Sequence, residues 1–191
     1  MDETRTELIR QAALELLAED GYDLVTMEAV AARAGVGKPT IYRRWNSRAD
    51  LVIDAVRSMV TTFPIPDTGS VEGDLRAVLG HIQPAEGRRL GVMGGLVSAL
   101  PRDPDLAVLF REHVSKPRMD ILRAIFARGA ARGEIPEGTD TDLLATVIPS
   151  MFGFRVLFTG CAVDADFADA VLEQVLLPLL RSPRRPSKET A

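Results

Sequence analysis

Cysteine, histidine and aromatic residues are scarce in this chain. Its 191 residues include one cysteine and two histidines, and aromatic residues make up 5%. A single cysteine excludes an internal disulfide framework and a cysteine-based zinc cluster, so a reducing cytoplasm is the simpler expectation. His81, His113 and Cys161 all stand outside any local nucleophile or metal-binding motif. We therefore expect no metal and no cofactor, and an enzyme is a weak alternative to a binding protein.

Signals for export and for phosphate binding are also lacking. No basic and then apolar leader precedes Thr4, so a secretory signal is not predicted. The glycine-rich run 91–97, GVMGGLV, lacks the lysine and the Ser or Thr of a phosphate loop, and it lacks the glycine spacing of a dinucleotide loop. A nucleotide-dependent enzyme is therefore not indicated.

Only one apolar run is long enough to raise the question of a membrane. Residues 143–163 span 21 positions with Arg155 as the only charge, which is sufficient length to cross a bilayer. A central arginine costs about 2.5–3.5 kcal/mol on insertion scales, and Pro149 would break a backbone hydrogen bond as well. We therefore predict a cytoplasmic chain without membrane contact, in which this helix is buried by its own domain and by a partner chain.

The apolar residues that are present recur at helical spacing, which favours an all-α fold. The stripe of the first helix is Leu8, Ile9, Ala12, Ala13, Leu16 and Leu17, with Glu7, Arg10, Glu15 and Glu19 expected on the other side. We predict helices over 5–19, 26–34, 38–45, 47–60, 71–82, 88–100, 104–114, 116–132, 141–161 and 166–181. No β-hairpin signal and no repeat period is evident between them.

The stretch from Thr26 to Arg48, TMEAVAARAGVGKPTIYRRWNSR, has the pattern of a helix-turn-helix. Thr26 is a favourable N-cap for a short helix with one apolar face. Gly35 ends that helix, because glycine adopts a positive φ without strain. Val36 then offers an apolar side chain to bury at the corner between two helices.

The second helix of this motif is basic on its outward side. Proline is tolerated at the first helical positions, so Lys38 and Pro39 can open it. Ile41 and Trp45 are four residues apart and are predicted to face inward. The outward residues are Lys38, Thr40, Tyr42, Arg43 and Arg44.

Residues 33–48 contain five bases and no acid, although the formal net charge of the chain is −4. The bases are Arg33, Lys38, Arg43, Arg44 and Arg48. Each lysine or arginine that neutralises a phosphate releases condensed counterions, and hydroxyl groups add contacts to the backbone and to base edges. This pattern predicts an interface for double-stranded DNA. The alternatives are an ordinary solvated helical hairpin, or an adaptor that uses the helix pair on other proteins.

A fourth helix is predicted to connect the N-terminal helices to the rest of the chain. Ser47, with Asp50 three residues later, forms a start that resembles a capping box. A positive charge in the first turn interacts unfavourably with the helix dipole, and Arg48 lies in that turn. A contact between Arg48 and a DNA phosphate would offset this cost, so we favour it over the alternative of a plain surface arginine.

The N-terminal third resembles a known family of bacterial regulators. The segments RTELIRQAALELLAEDGYDLVTM, VAARAGVGKPTIYRRW and NSRADLVIDAV are similar, in this order, to the DNA-binding domain of TetR-type (tetracycline-repressor-like) transcriptional regulators. Trp45 stands where the family more often has Phe, and Arg48 stands where Lys is commoner. The resemblance covers about the first sixty residues.

The resemblance implies a site and a domain organisation. We expect a helix-turn-helix domain over 1–62, with its motif at about 26–45, a helical ligand-binding and dimerisation domain over 63–181, and a disordered tail over 182–191. By resemblance, Arg5 at the start of the first helix touches the DNA backbone, the alternative being a solvated terminal arginine. The expected DNA contacts are Arg5, Thr26, Lys38, Pro39, Thr40, Tyr42, Arg43, Arg44 and Arg48.

The last two helices are expected to form a homodimer, as they do in the family. A dimer presents two recognition helices to major grooves about 34–36 Å apart, which suits a pseudo-palindromic operator. The sequence leaves the sign of regulation open, so an activator is an alternative to a repressor.

The family further implies a small-molecule effector bound in the C-terminal helices. Large, adaptable or polar residues that could enclose a cavity are Met93, Phe110, His113, Met119, Phe126, Met151, Phe152, Arg155 and Phe158. Each of them singly is also a candidate core residue, and Arg155 could instead pair with an aspartate. A sensor that has no cavity and oxidises Cys161 is the other interpretation.

Overall fold

The computed structural model describes residues 3–59, 64–81 and 87–182, and for 87–90 it describes the backbone only. Every regular element in these ranges is helical, which confirms the predicted all-α class. The helices are α1 (Glu3–Asp20), α2 (Met27–Ala34), α3 (Lys38–Tyr42), α4 (Arg48–Ser58), α5 (Val71–Gly80), α6 (Gly87–Ala99), α7 (Pro104–Phe110), α8 (Lys116–Ala131), α9 (Thr141–Ala145), α10 (Val147–Thr159), α11 (Ala165–Val171) and α12 (Leu177–Arg181).

Short irregular turns modify the predicted helices. A π-helical turn, Arg111–Ser115, joins α7 to α8 without a break, and a second one, Leu172–Leu176, joins α11 to α12. Thr146 interrupts the apolar run between α9 and α10. Residues 60–63, 82–86 and 183–191 lie outside the described residues, and so do the predicted domain boundary at 62 and all of the predicted tail except Ser182.

The local signals of the helix-turn-helix stretch act as predicted. The Thr26 hydroxyl accepts a hydrogen bond from the Ala29 backbone N–H at 3.0 Å, which caps α2. Gly35 ends α2 in the left-handed region with φ 65°. The Ser47 hydroxyl accepts from the Asp50 N–H at 3.1 Å, but the Asp50 carboxylate reaches back to the N–H of Asn46 rather than to that of Ser47.

The described helices belong to two compact units. The first unit comprises Met1–Thr62 and Ala85–Pro117, and the second comprises Phe63–Pro84 and Arg118–Ala191. Segment 85–117 therefore belongs to the same unit as the N-terminal helices. The predicted division at residue 62 had assigned this segment to the C-terminal domain. The physical reason is that α6 packs along α1, and α7 packs along α4.

Two glycines explain the close packing of α6 on α1. A Cβ built on Gly95 would lie 2.5 Å from the Leu17 carbonyl oxygen, and one on Gly91 would lie 3.1 Å from the Ala18 carbonyl oxygen. Only glycine permits backbones to approach this closely. The run GVMGGLV therefore serves helix packing in this structure.

The first helix buries the predicted stripe except for Leu8. It packs against α2, α4 and α6, and its wide buried arc includes Leu14. Arg10 projects within this arc, whereas Leu8 lies beyond its edge and is 53% exposed. Leu24, in the turn that follows α1, is also exposed, at 60%.

The second unit has its own apolar core around an embedded carboxylate. Leu75, Ile125, Phe126 and Leu172 are among its most deeply buried side chains. Asp74 is fully buried and accepts hydrogen bonds from the Thr68 N–H, the Thr68 hydroxyl and the Arg128 guanidinium at 2.6, 2.9 and 2.9 Å. Burial alone would raise the pKa of Asp74, but these hydrogen bonds outweigh it and hold that pKa below its ordinary value.

The helical run Thr141–Thr159 is long and apolar enough to span a bilayer by length and composition. Only 17% of its most apolar window is buried within the chain. Its own domain therefore buries only a small part of this run, and burial of the remainder by a partner chain stays a prediction.

Candidate nucleic-acid interface

The α3 helix is held by two buried side chains. Ile41 is 0% and Trp45 is 2% exposed, so the inward face predicted for this helix is confirmed. The backbone N–H of Trp45 donates to the Ile41 carbonyl at 3.1 Å, which continues the turn beyond Tyr42. With these anchors inside, the side chain of Tyr42 is left 52% exposed.

The other predicted contact residues of this helix also lie at the surface. Lys38, Pro39, Arg43 and Arg44 are exposed, and Thr40 is half-buried. The structure thus brings together on α3 and the turn after it most of the residues predicted to contact DNA. Thr26, at the start of α2, is exposed and uses its hydroxyl as the helix cap.

A carboxylate on α4 fixes the position of α3 relative to α1. Asp54 accepts hydrogen bonds from Arg10 Nε and Trp45 Nε1, both at 3.0 Å. Burial alone would raise the pKa of Asp54, but the hydrogen bonds from Arg10 and Trp45 outweigh it and lower that pKa. Sequence reasoning missed this bridge, because Arg10 was assigned to the solvent side of α1.

The start of α1 lies beside the end of the α3 turn. An Arg44 Nη lies 3.5 Å from the hydroxyl oxygen of Thr6, which is fully buried. Arg5 is the neighbour of Thr6 in α1 and is exposed. The two segments that were predicted to reach the DNA backbone therefore border each other.

The basic run is less unbalanced in the structure than in the sequence. Lys38 Nζ lies 2.6 Å from a Glu28 carboxylate oxygen, and the side chains of both residues are more than half exposed. Arg33 is paired with Glu15 and Glu19 of α1 at 3.5 and 3.0 Å. The carboxylates that pair with Lys38 and Arg33 come from residues before position 33, so the sequence of 33–48 alone does not show them. They neutralise part of the positive charge of residues 33–48.

Arg48 is half-buried and has neighbours that neither sequence interpretation anticipated. Its guanidinium lies 4.0 Å from the centroid of the Tyr22 ring and 3.5 Å from Asp103. The Tyr22 hydroxyl donates to Asp103 at 2.8 Å, and Asp103 also accepts from the Leu106 N–H at 3.0 Å, which caps α7. Arg48 thus ties the start of α4 to the start of α7.

The protonation states of this cluster follow from its geometry. Burial, followed by the hydrogen bond to Asp103, raises the pKa of Tyr22 to about 12, so its hydroxyl remains a donor. The backbone N–H of Leu106 and the hydrogen bonds from Tyr22 and Arg48 lower the pKa of Asp103. The cluster is therefore an ionised carboxylate with three donors at neutral pH.

The residues predicted for an effector cavity are divided between the two units. Met93, Phe110 and His113 belong to the first unit, and Met119, Phe126, Met151, Phe152, Arg155 and Phe158 belong to the second. Phe126 is fully buried in the core, whereas Phe158 is 77% exposed and His113 is exposed.

Arg155 is occupied by neighbours on its own unit. Its Nε donates to the Ala162 carbonyl at 2.6 Å, an Nη lies 3.1 Å from Asp164, and the guanidinium lies 4.2 Å from the centroid of the Phe167 ring. The alternative in which Arg155 pairs with an aspartate is therefore the one that the structure supports.

A groove of about 240 Å³ lies in the second unit, lined by Val71, Glu72, Glu134, Ile135, Leu177, Leu180 and Arg181. None of the predicted cavity residues lines it. Its carboxylates are already engaged, since Glu72 pairs with Arg181 at 2.8 Å and Glu134 accepts from the Val71 N–H at 2.7 Å. Across the described residues, no group of three or more His, Cys, Asp or Glu is placed to hold a metal ion.

Comparisons with known proteins place both parts of the chain. Residues 9–55 match the family described as "Bacterial regulatory proteins, tetR family", and residues 65–175 match "Tetracyclin repressor-like, C-terminal domain". A DNA-binding transcriptional repressor TetR from Mycobacteroides abscessus is 33% identical over 182 residues, which cover 94% of this chain and 95% of that protein. An uncharacterised regulator of the helix-turn-helix type, YdeS from Bacillus subtilis, is 32% identical over 87% of this chain and 85% of its own length.

A solved structure supports the same assignment. The crystal structure of the TetR family transcription regulator SCO0332 superposes with a TM-score of 0.65 at 29% identity, over 92% of this chain and 97% of that one. The match thus extends through the C-terminal helices, where the sequence alone offered only helical character. This chain belongs to the TetR family of bacterial transcriptional regulators, which bind DNA and are not enzymes.

Proposed function

We propose that the chain is a ligand-responsive repressor that binds a pseudo-palindromic operator as a homodimer and releases it when a small molecule binds to the C-terminal helices. The observation that carries this proposal is the geometry of α3. Its apolar side is fixed by buried Ile41 and Trp45, while Lys38, Tyr42 and Arg43 lie exposed at the surface. A helix presented in this way fits the major groove.

The division of labour among the exposed residues follows their chemistry. Arg5, Arg43 and Arg44 are exposed cations on adjoining segments and suit phosphate contacts. Thr40 carries a hydroxyl at the middle of α3 and Tyr42 carries one at its last position, and both suit contacts to base edges. Lys38 is available once a phosphate replaces Glu28 as its partner. We assign Arg48 to support of this surface, since Tyr22 and Asp103 already hold its guanidinium.

Measurement of DNA affinity against salt tests this assignment. Lys38→Ala should weaken binding at every salt concentration and reduce the slope of log K against log salt by about 2 per dimer, because one phosphate per protomer is no longer neutralised. Lys116→Ala is the matched control, because Lys116 is also an exposed lysine paired with a glutamate on its own face. Tyr42→Ala should weaken binding to the operator more than binding to random DNA.

Wild-type binding that does not change with salt, or normal operator affinity in both the Lys38 and Tyr42 variants, would refute the interface. The experiment needs a candidate operator, and the DNA upstream of the protein's own reading frame is the first to try.

The exposed apolar face near the C-terminus supports the homodimer. Leu143, Phe154, Phe158 and Leu179 are 62%, 61%, 77% and 45% exposed. The rings of Phe154 and Phe158 stack with their centroids 5.3 Å apart, one turn apart on α10. An exposed, stacked pair of phenylalanines is a candidate interaction surface, and a second copy of the chain would bury the two final helices in a four-helix bundle.

Phe158→Asp tests the dimer, because a charge in an apolar interface disfavours association. Sedimentation should show a monomer, with helical circular dichroism retained and operator binding reduced. Val108→Asp is the control, since Val108 is also an exposed apolar residue, 48% exposed, but lies in α7. A Phe158 variant that remains dimeric would remove this face from the interface.

Release from DNA requires that the effector bind two conformations with different affinities. The α4 helix carries Asp54, which positions α3, and it packs against α1 and α7. Movement of α7 would therefore act on α3 through α4 and through the contact of Arg48 with Asp103. We place this cycle in the cytoplasm, where the operator is.

A further inference from the structure

Segment 64–70 leads into α5 and has no regular secondary structure. Five of its seven residues are exposed, and Ile65, its one large aliphatic side chain, is 41% exposed. Apolar burial therefore does little to hold this segment in place. The contacts that hold it are polar, and they come from side chains of α5 and α8.

A buried carboxylate and a guanidinium bind segment 64–70. Asp74 in α5 is fully buried and accepts hydrogen bonds from the Thr68 N–H and the Thr68 hydroxyl at 2.6 and 2.9 Å. An Nη of Arg128 in α8 donates to the Pro66 carbonyl and, at 2.9 Å, to Asp74. We call Pro66, Thr68, Asp74 and Arg128 the α8 clamp.

The start of α5 is fixed to the end of α8 next to this clamp. The Val71 N–H donates to the Glu134 carboxylate at 2.7 Å. A Cβ built on Gly129, the neighbour of Arg128, would overlap Cγ2 of Val71, so the two helices approach this closely only because position 129 is glycine. A displacement of the C-terminal half of α8 therefore also displaces segment 64–70 and the first turn of α5.

The chain reaches segment 64–70 directly from the DNA-binding helices. The α4 helix ends at Ser58, and only residues 59–63 separate it from Pro64. This helix carries Asp54, which accepts from Trp45 Nε1 at 3.0 Å and so positions α3. Segment 64–70 is therefore the part of the second unit that is nearest in sequence to the recognition helix.

We infer that Arg128 is a positioning residue that couples α8 to the DNA-binding helices. This inference rests on the proposed function, in which a small molecule bound among the C-terminal helices releases the operator. The α8 helix contributes Leu122, Ile125 and Phe126 to the apolar core of the second unit, so a molecule that enters this core acts on α8. Arg128 transfers the displacement to segment 64–70, and the chain transfers it to α4. This route adds to the one through α7.

Amide hydrogen exchange of the full-length protein tests the coupling, because coupling between two sites is reciprocal. The probe is a duplex of the DNA upstream of the protein's own reading frame, used at low salt, where electrostatic binding needs no defined sequence. The duplex should slow exchange at residues 26–48 of the wild type. It should also change exchange at residues 64–80 by about 5-fold or more, the lower limit of typical coupling between sites. Because α7 continues into α8, the response of α8 itself does not isolate the clamp.

Two variants remove the clamp. Arg128→Met should keep the protection of residues 26–48 and lose the change at residues 64–80. This variant leaves the buried carboxylate of Asp74 without its guanidinium, so a double variant, Asp74→Leu with Arg128→Met, removes both charges and should give the same result with the fold retained. A purely structural Arg128 would lower stability but leave the effect of DNA on residues 64–80 in place.

Arg123→Met is the matched control. Arg123 is also an arginine of α8 with a carboxylate partner, Asp142 at 2.7 Å, but both side chains lie at the surface. This variant should respond to DNA as the wild type does.

Protection of residues 26–48 in the wild type without a change at 64–80 would overturn the coupling and leave the DNA interface intact. A change at 64–80 that persists in both clamp variants would overturn it as well. Absence of protection at 26–48, even at low salt, would instead refute the interface of the proposed function, and the coupling with it.

Discussion

Adjacent glycines in α6 should respond to the same substitution with opposite signs. A Cβ on Gly95 would lie 2.5 Å from the Leu17 carbonyl oxygen and 3.2 Å from the Leu17 Cδ1, whereas a Cβ on Gly94 meets nothing within 4 Å. Gly95→Ala therefore forces α6 away from the backbone of α1. Overpacking of this kind costs about 1–3 kcal/mol of folding free energy.

Gly94→Ala adds the same methyl group to the same helix without a clash. Alanine stabilises a helix interior by about 0.5–1 kcal/mol relative to glycine, partly because the unfolded chain loses freedom. The two variants should therefore differ by about 1.5–4 kcal/mol in the free energy of unfolding, if these independent effects add. Urea titration followed by far-ultraviolet circular dichroism measures this difference. Equal stabilities, or a Gly95 variant more stable than the wild type, would refute the close approach of α6 to α1.

Three more outcomes follow from the polar contacts. Asp54→Ala should lower the free energy of unfolding by about 2–3 kcal/mol, because Arg10 and the indole N–H of Trp45 lose a half-buried acceptor. The control is Asp20→Ala at the exposed end of α1, whose free energy of unfolding should stay within about 0.5 kcal/mol of the wild type in the same urea titration. The lowered pKa of Asp74 stabilises the fold above the unfolded value of about 3.9, and this stability is lost as pH falls through the folded pKa. An acid titration by circular dichroism should therefore be less steep for Asp74→Asn, and an identical profile would contradict the sign. Glu28→Gln should strengthen DNA binding in gel shifts by freeing Lys38, and weaker binding would show that this pair is needed on the duplex.

Local signals in the sequence were sufficient for the helix-turn-helix. The Thr26 cap, the Gly35 stop and the inward positions of Ile41 and Trp45 depend on residues no more than a few positions apart, and the structure has all of them. The exposed residues of α3 follow from the same periodicity. The fold class was predictable for this reason, and so was most of the candidate interface.

Contacts between distant residues were not predictable from the same signals. Arg10 meets Asp54 from 44 residues away, and Tyr22 meets Asp103 from 81 residues away. The period of α1 could not reveal that three helices would pack on it, so Arg10 and Leu8 were assigned to the wrong sides. The compensation of Lys38 by Glu28 likewise depends on the angle between α2 and α3.

The neighbourhood of Trp45 gives the protein a built-in optical reporter. This residue is the only tryptophan in the chain, and the centroid of its ring lies 5.5 Å from the guanidinium carbon of Arg44. Indole emission responds to nearby charge, so an Arg44 that swings toward a phosphate would shift the spectrum of the unlabelled protein. Occupancy of a duplex could then be followed in real time without attaching a dye.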